Sequence, residues 1–236
     1  MKECSTMYHQ HFDQIPSTQT YLKDHLSELE KIEQDILITC NQQTEGHGRN
    51  NKTWNDSEGS VAFSFTFHAN HSPTIIPLFV AMEIVTFIKS EFHTTLAVKW
   101  PNDLYYLNKK CGGIICHKID QTIIVGVGLN LSSSPKNLTD ENNQIAHLNL
   151  NLPHDFKKSL PLKIYESILK STFDENKIIN SFNQSGLYLN EQVTISEDGQ
   201  MTTGKLLGIG TIGEAIIQND NGEIQKLYNG TLRKKD

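Results

Sequence analysis

The sequence predicts an α+β protein with a small all-β module at its C-terminal end. Residues 61–67, Val-Ala-Phe-Ser-Phe-Thr-Phe, alternate strictly, which is typical of a strand with one buried face. Residues 77–92 carry apolar side chains at helical spacing, and after Leu189 short strand candidates follow one another between glycines. A chain of 236 residues can hold one large core and a small module, so we predict domains at 1–188 and 189–236.

The elements at the start of the chain follow from capping residues and apolar runs. Residues 1–16 are predicted to be irregular. Ser17 or Thr18 can cap a helix whose apolar stripe runs to Leu29, and residues 36–40 form an apolar strand.

A hairpin between residues 96 and 115 is the stretch around which the chain is organised. Its sequence predicts a strand at 96–98, a break at Pro101, a second strand at 104–107 and a returning strand that contains Gly112 and Gly113. Glycines inside a strand let a ligand or another backbone approach closely. The hairpin carries polar residues around this glycine pair: Lys99, Trp100, Asn102, Asp103 and Lys110.

A second polar stretch, residues 43–54, follows the strand at 36–40. Its sequence is Gln-Thr-Glu-Gly-His-Gly-Arg-Asn-Asn-Lys-Thr-Trp. Loop glycines can turn backbone N–H groups toward an anion, and Arg49, one of two arginines in the chain, adds a fork of donors. The loop is neither a Walker loop nor a dinucleotide fingerprint, because the required spacing is absent.

The rest of the chain supplies further elements. We predict a strand at 122–130, a long polar loop at 132–143 and an amphipathic helix at 161–180. Short strands are expected at 192–196, 204–210, 214–218 and 223–228, with a hairpin turn at Asn221-Gly222.

Composition excludes several classes of protein. The net charge of −6 argues against a nucleic-acid-binding chain, no apolar run is long enough for a membrane helix, and residues 1–4 lack a signal-peptide core. We therefore expect a cytoplasmic protein without DNA or membrane partners. Cys4, Cys40, Cys111 and Cys116 lack metal-site spacing and are expected to be free thiols, and no metal cage is expected.

The two polar stretches together resemble the catalytic domain of biotin–protein ligases. That family carries a Gln-x-x-Gly-Arg-Gly-Arg loop ending near a Trp, then Lys-Trp-Pro-Asn-Asp, a lysine ahead of a Gly-Ile strand, and Gly-x-Gly-x-Asn. The corresponding segments here, in the same order, are residues 43–54, Lys99 to Asp103, Lys110 with Gly113-Ile114, and Gly126 to Asn130. One position departs from the pattern: His47 stands where the family usually has the first arginine, which puts biotin affinity in doubt because a neutral imidazole lacks the guanidinium charge.

The resemblance implies a fold, a reaction and partners. The fold is a mixed sheet with helices packed on it, similar to class II aminoacyl-tRNA synthetases, followed by an SH3-like barrel. The reaction joins biotin to ATP as biotinyl-AMP, with Mg²⁺, and transfers biotin to a lysine of a biotin carboxyl carrier domain of acetyl-CoA carboxylase or a related carboxylase. Some members carry an N-terminal DNA-binding domain; here the Ser-Thr-Gln segment begins at residue 17, so we expect a catalyst only, as a monomer or homodimer.

The resemblance also implies roles for individual residues. The residues expected to act in catalysis are Lys110, Arg49 and Asp103, with Asp103 and Asn102 as candidates for orienting Mg²⁺ or the incoming lysine. Biotin is expected to contact Ser17, Thr18, Gln19, Gln43, His47, Gly48, Arg49, Lys110, Gly112 and Gly113. ATP or the adenylate is expected to contact Gly46, Lys52, Trp54, Asn102 and Asn130, and the loop at 132–143 to fold over the adenylate. Trp54 and Trp100 are either walls of the biotin pocket or plain core residues.

Two alternatives stay open at this point. A lipoate or octanoate ligase or transferase has the same fold but lacks the pairing of a Gly-x-Gly-Arg loop with Lys-Trp-Pro-Asn-Asp. A non-catalytic module that only binds biotin or an acyl-adenylate would not need both Arg49 and Lys110. Release of pyrophosphate from ATP in the presence of biotin distinguishes the enzyme from the module.

Overall fold

Seven strands form the central sheet of the protein. The computed structural model describes residues 7–49, 52–68, 72, 74–132, 139–140 and 143–235. The strands are β1 (Tyr8–Ile15), β2 (Ile36–Gln43), β3 (Ser60–His68), β4 (Ala97–Lys99), β5 (Asp103–Tyr106), β6 (Lys109–Ile119) and β7 (Thr122–Asn130). Their order is β1-β2-β3-β7-β6-β5-β4, with β1 parallel to β2 and the other neighbours antiparallel. The predicted mixed sheet is therefore confirmed.

Helices cover both faces of this sheet. Helix α1 (Thr18–Leu29) packs on one face against β2, β3 and β7, where Leu22 and Leu26 meet Ile36, Ile38 and Ile124. Helices α2 (Ile76–Phe92) and α3 (Phe156–Lys170) pack on the opposite face, and α4 (Glu175–Ser185) lies against β4 and the C-terminal sheet. The main core lies between α2, α3 and the sheet, as the apolar stripe of residues 77–92 predicts.

Strand β3 is buried on both faces, although its alternation predicts one exposed face. Phe63 and Phe65 belong to the main core, while Ser64 and Thr66 point to the other face and are fully buried as well. The second face is buried because α1 lies over it and Thr18 bonds Ser64. An alternating pattern indicates which face of a strand is apolar. Small polar side chains on the other face can still be buried when they form hydrogen bonds.

Two sequence predictions of element boundaries are wrong. Residues 8–15 form β1, which pairs along β2, so the segment 1–16 is not irregular throughout. The helix predicted at 161–180 is two helices, because Ser171 is extended and the carboxylate of Asp174 accepts a hydrogen bond from Lys177 N to start α4. Capping by Asp174 satisfies a free N–H group, which favours a new helix start over continuation.

A five-stranded antiparallel sheet follows α4. Its strands are β10 (Gln192–Glu197), β11 (Gln200–Ile209), β12 (Ala215–Gln218), β13 (Ile224–Leu227) and β14 (Thr231–Lys234), in the order β13-β12-β11-β10-β14. Four of these strands were predicted, and β14 was not. Within the described residues β13 and β14 are not paired, so the sheet is open and closure into an SH3-like barrel stays a prediction.

The C-terminal sheet is fixed to the rest of the protein by hydrogen bonds from two elements of the main domain. The indole Nε1 of Trp100 donates to the carbonyl of Gly213 over 2.8 Å, and Asn183 of α4 bonds the backbone of Ile209 at both of its amide atoms. Trp100 is fully buried. Its main role is therefore core packing and attachment of the second sheet, although its edge also reaches the cavity described below.

Three other predictions concern the 132–143 loop, the cysteines and membrane-spanning helices. Met1 to Cys4 lie outside the described residues, as does most of the loop at 132–143, whose described parts include the short paired strands β8 (Thr139–Asp140) and β9 (Asn143–Gln144). Cys40, Cys111 and Cys116 are free, and burial raises the pKa of the Cys40 and Cys111 thiols to about 12. No helix in the described ranges combines the length and the apolar character that crossing a bilayer requires.

The glycine pair of β6 generates a stability prediction. A Cβ on Gly112 would lie 2.6 Å from the carbonyl oxygen of Gly128, whereas a Cβ on Gly113 would meet its nearest atom at 3.5 Å. Gly112→Ala should therefore lower the free energy of unfolding by about 2–3 kcal/mol through overpacking. Gly113→Ala is the matched control and should change it by less than about 1 kcal/mol.

Urea unfolding of both variants measures this difference. Equal midpoints for the two variants would show that the backbones of β6 and β7 can separate at Gly112 without cost.

Candidate functional site

A cavity of about 780 Å³ lies on the face of the central sheet that carries α1. Its floor consists of small residues in neighbouring strands: Ala62 and Ser64 of β3, Gly126 and Gly128 of β7, and Gly113 of β6. Ala62 pairs with Gly128 and Gly128 with Gly113, so three consecutive strands present almost no side chain at this level. The cavity exists because the sheet there has nothing with which to fill it.

The N-terminus of α1 forms one end of the cavity. Ser17 caps the helix by accepting a hydrogen bond from Thr20 N, and both the N–H and the hydroxyl of Thr18 donate to Oε1 of Gln43. The Thr18 hydroxyl also lies 2.8 Å from that of Ser64. This end of the cavity is polar but uncharged, and its groups are held in fixed orientations.

Two polar atoms near this end have no hydrogen-bond partner. Oε1 of Gln19 and Nε1 of Trp54 are buried, and nothing in the described part of the chain bonds them. Leaving a buried polar atom unpaired costs about 1–3 kcal/mol, so such pairs of atoms in a cavity wall are suited to a ligand with its own donors and acceptors.

The glycine loop crosses the top of the cavity as a narrow hairpin. Gly48 N donates to the carbonyl of Lys52, and Trp54 N donates to the carbonyl of Gly46. His47 and Thr53 form an isolated antiparallel β-bridge. Gly46 is packed so closely that an added Cβ would lie 2.6 Å from the Trp54 carbonyl oxygen. Asn50 and Asn51 lie outside the described residues.

Arg49 is held between two parts of the protein. Nη1 donates to Oδ1 of Asn102 over 2.9 Å, and Nη2 donates to Oδ1 of Asn229, which precedes β14 in the C-terminal sheet. Burial lowers the pKa of Arg49, while the nearby carboxylate of Asp103 opposes that shift. Because an arginine pKa starts so high, the guanidinium stays charged, and its two neutral partners leave that charge available to an anion.

A β-bulge places Lys110 on the cavity side of the sheet. Tyr105 pairs with Lys110 but Leu104 pairs with Gly112, so one extra residue, Cys111, interrupts the β5–β6 register. Lys110 and Gly113 therefore share the cavity face, which strict alternation would forbid, and Gly112 turns toward Leu104 and Leu129 of the core. Lys109 is exposed and does not line the cavity.

Two lysines flank the carboxylate of Asp103. Nζ of Lys110 lies 2.7 Å from Oδ1, and Nζ of Lys99 lies 3.7 Å from Oδ2. Lys99 also donates to the Tyr105 hydroxyl over 2.8 Å. Burial lowers the pKa of Lys99, and Asp103 opposes that shift.

The structure brings most of the predicted site residues into this one cavity. Its lining contains Ser17, Thr18, Gln19, Gln43, His47, Gly48, Arg49, Lys52, Trp54, Asn102, Asp103, Lys110, Gly113 and Asn130. Gly46 and Gly112 do not line it, because one is packed under Trp54 and the other faces the core.

Sequence reasoning assigned no role to several residues of the lining. Ala62, Ser64 and residues 230–232 were missed, and Lys99, Gly126 and Gly128 were noticed without being given a role. The small residues alternating with phenylalanines in β3 were the available signal for the floor. Nothing in the sequence brings residue 230 to this cavity, since that depends on how the second sheet docks.

A polar recess and a cation cluster in one cavity suit an elongated ligand with one neutral end and one anionic end. Residues 11–131 match the model of the biotin/lipoate A/B protein ligase family, which is about half of the chain. The protein belongs to this family.

Relatives and solved structures agree with this assignment. Biotin–protein ligase 1, chloroplastic, of Arabidopsis thaliana is 24% identical over 82% of this chain and 60% of its own length. The biotin–protein ligase of Schizosaccharomyces pombe is 28% identical over 79% of this chain and 35% of its own length. The chain thus spans at most 60% of these curated relatives.

The fold has a close counterpart among solved structures. The biotin protein ligase from Aquifex aeolicus in complex with biotin and ATP superposes with a TM-score of 0.79 and 23% identity, covering 98% of this chain and all of that one. The biotin acetyl coenzyme A carboxylase synthetase from Helicobacter pylori gives a TM-score of 0.68 with 20% identity over 94% of this chain and all of that one. At these identities the likeness establishes the shared fold.

Proposed function

We propose that the protein is an ATP-dependent biotin–protein ligase. It activates biotin as biotinyl-5′-AMP and transfers it to a lysine of a biotin carboxyl carrier domain. The observation that carries this proposal is the division of one cavity into an uncharged polar end at α1 and a cationic end at Arg49 and Lys110. Biotin has the same division, with a neutral ureido ring at one end and a carboxylate at the other.

The uncharged end fits the ring of biotin. A ureido group offers two N–H donors and one carbonyl acceptor, which match the unpaired Gln19 Oε1 and Trp54 Nε1. Ser17, Thr18 and Gln43 lie beside them as further hydrogen-bonding partners. Gly126 and Gly128 let the side chains of Gln19 and Trp54 lie directly against the sheet, so both unpaired atoms are held beside the cavity.

The cationic end fits the reacting groups. In the first step a carboxylate oxygen of biotin bonds to the α-phosphorus of ATP while the bond to pyrophosphate breaks. Two negative groups, the carboxylate and the α-phosphate, must meet, and Arg49 and Lys110 lower their mutual repulsion most where negative charge gathers in the transition state. In the second step the lysine amine bonds to the biotin carbonyl, AMP leaves with the shared oxygen, and the amine loses a proton.

Other residues complete the proposed assignment. Lys52, Asn102 and Asn130 surround the adenylate, Gly46 and Gly48 shape the loop, and Trp54 is assigned through its Nε1 to the biotin ring instead of the adenylate. Asp103 and Asn102 were predicted to orient Mg²⁺ or the incoming lysine. Their oxygens do not fit Mg²⁺, because Lys110 and Lys99 face the two oxygens of Asp103 and Arg49 donates to Oδ1 of Asn102. We therefore propose that Asp103 orients the incoming lysine amine and that Mg²⁺ would enter the site on the phosphates of ATP. His47 is exposed, and its imidazole can contribute a hydrogen bond at the biotin side.

The proposal extends to organisation and partners. Residues 1–188 form the catalytic domain and 189–236 a C-terminal SH3-like domain, in a cytoplasmic monomer or homodimer. The acceptor is a carrier domain of acetyl-CoA carboxylase or a related carboxylase.

Incubation of the purified protein with biotin, ATP and Mg²⁺ tests this function. We expect biotinyl-AMP and pyrophosphate to form, and labelled biotin to appear on a carrier domain only when its lysine is intact. Turnover with lipoate and not with biotin would move the protein to the other branch of its family. Tight biotin binding without pyrophosphate release would make it a binding module.

Lys110 and Lys109 form a matched pair of variants on one strand. Lys110→Ala should slow adenylate formation by roughly a hundredfold or more, the size typical of losing one pre-organised electrostatic group. Lys109→Ala removes the same charge from an exposed position and should change the rate by less than about twofold. Single-turnover formation of biotinyl-AMP measures both, with melting curves as the control for folding. A larger loss from Lys109→Ala would contradict the register of β6.

Asn229 should affect ATP more than biotin. Asn229→Ala removes one of two partners that fix the Arg49 guanidinium, at the phosphate side of the proposed site. Losing such a bond costs about 1–2 kcal/mol, so we expect the KM for ATP to rise roughly five- to thirtyfold while the KM for biotin changes less than about twofold. Asn219→Ala, on an exposed turn of the same sheet, is the control. Equal changes in both KM values would argue that Asn229 shapes the whole cavity.

A further inference from the structure

Lys99 is a nearly fully buried lysine to which the proposed reaction gives no task. Only 6% of it is exposed, at the end of β4. Burying an ammonium is costly unless it is paired, so a lysine in this position needs a compensating partner. Its partners are the hydroxyl of Tyr105 at 2.8 Å and the carboxylate of Asp103 at 3.7 Å.

The β4–β5 hairpin fixes this arrangement. Lys99 pairs directly with Asp103 across the two strands, and Tyr105 lies two residues further along β5, on the same face. Tyr105 in turn pairs with Lys110 across β5 and β6. The four side chains therefore form one cluster, in which a single carboxylate lies between two ammonium groups.

The two ammonium groups differ in what they can reach. Lys110 has a third of its side chain exposed to the cavity, whereas the side chain of Lys99 is 7% exposed. Lys110 also contacts Asp103 at 2.7 Å, so without a second cation this carboxylate would neutralise the charge that an anionic substrate needs. Two opposite unit charges at such distances attract each other strongly when they are partly shielded from water, so this pairing decides where Lys110 points.

We propose that Lys99 is a positioning residue whose ammonium group is the permanent ion-pair partner of Asp103. The charge of Lys110 is then available to the biotin carboxylate and the α-phosphate. Tyr105 holds the Lys99 ammonium beside Asp103. This inference rests on the proposed function, because it assigns the reason for a second lysine at the same site.

A double-mutant cycle on Lys99 and Asp103 tests the inference. The measured quantity is the single-turnover rate of biotinyl-AMP formation with saturating biotin and ATP. Lys99→Met should lower it roughly ten- to a hundredfold, since Lys110 is then committed to Asp103. In an Asp103→Asn background, where no carboxylate needs neutralising, the same Lys99→Met change should cost less than about threefold. A lysine that only packs would cost the same in both backgrounds.

Conservative variants give a second readout. Lys99→Arg keeps the charge and should recover most of the lost rate, and Lys109→Met, an exposed lysine of the same hairpin, should leave the rate unchanged. If Lys99→Met fails to fold in a melting curve, Tyr105→Phe takes its place. It keeps the ammonium but removes one hydrogen bond, and should cost roughly three- to tenfold only while Asp103 is present.

The outcomes separate this inference from the function on which it rests. No biotinyl-AMP from the unmodified protein overturns both. If the unmodified protein is active, any of three results overturns the role of Lys99 alone. The Lys99→Met rate is within threefold of the unmodified rate, the loss is equal in the two backgrounds, or a folded Lys99→Arg is as slow as Lys99→Met.

Discussion

The cavity depends on one constraint: both faces of the central sheet must be buried, yet the strands carry bulky side chains on only one of them. On the side of α2 and α3, Phe63, Phe65 and their neighbours form a dense core. On the side of α1, the same strands carry Ala62, Ser64, Gly126 and Gly128, and the helix covers only part of them. Close packing on the first face supports the strands, so a cavity can persist on the second face without collapse. The cavity therefore lies where one face of a well-supported sheet carries only small side chains.

Electrostatics adds a second constraint, because the cations of the site must be kept apart and charged before any anion arrives. Arg49 is held by neutral amide oxygens, while Lys99 and Lys110 share one carboxylate. Neutral partners orient a guanidinium without cancelling its charge, and a shared carboxylate limits repulsion between two ammonium groups. The cost of burying these groups appears in the lowered pKa values of Arg49 and Lys99, both caused first by desolvation. Fixed charges of this kind need little reorganisation when the substrates react.

Much of this arrangement could be predicted from the sequence, and the exceptions have physical causes. Local patterns located α1, α2 and most strands of both sheets, and the order of the polar motifs predicted the family. The pattern could not predict that Gly112 faces the core, because the bulge at Cys111 changes the side-chain phase by one residue. Nor could it predict the break at Ser171, where the cap at Asp174 competes with a helical stripe that continues through Phe173. In both cases a single local feature, a β-bulge or a helix cap, interrupts an otherwise regular sequence pattern.

The contribution of the C-terminal sheet to the cavity could not be predicted from local sequence patterns, for a different reason. Residues 229–232 reach the site only because Trp100 and Asn183 bind that sheet in one position against the main domain. Gly230 then turns with a φ of 131°, and any Cβ there would strike Ile195, so glycine directs the chain past the cavity into β14. Asn229 thereby meets Arg49 across 180 residues of sequence. The loop that is proposed to hold phosphate is thus completed by a residue just before β14, and the two sheets must be docked before the cationic end has its final geometry.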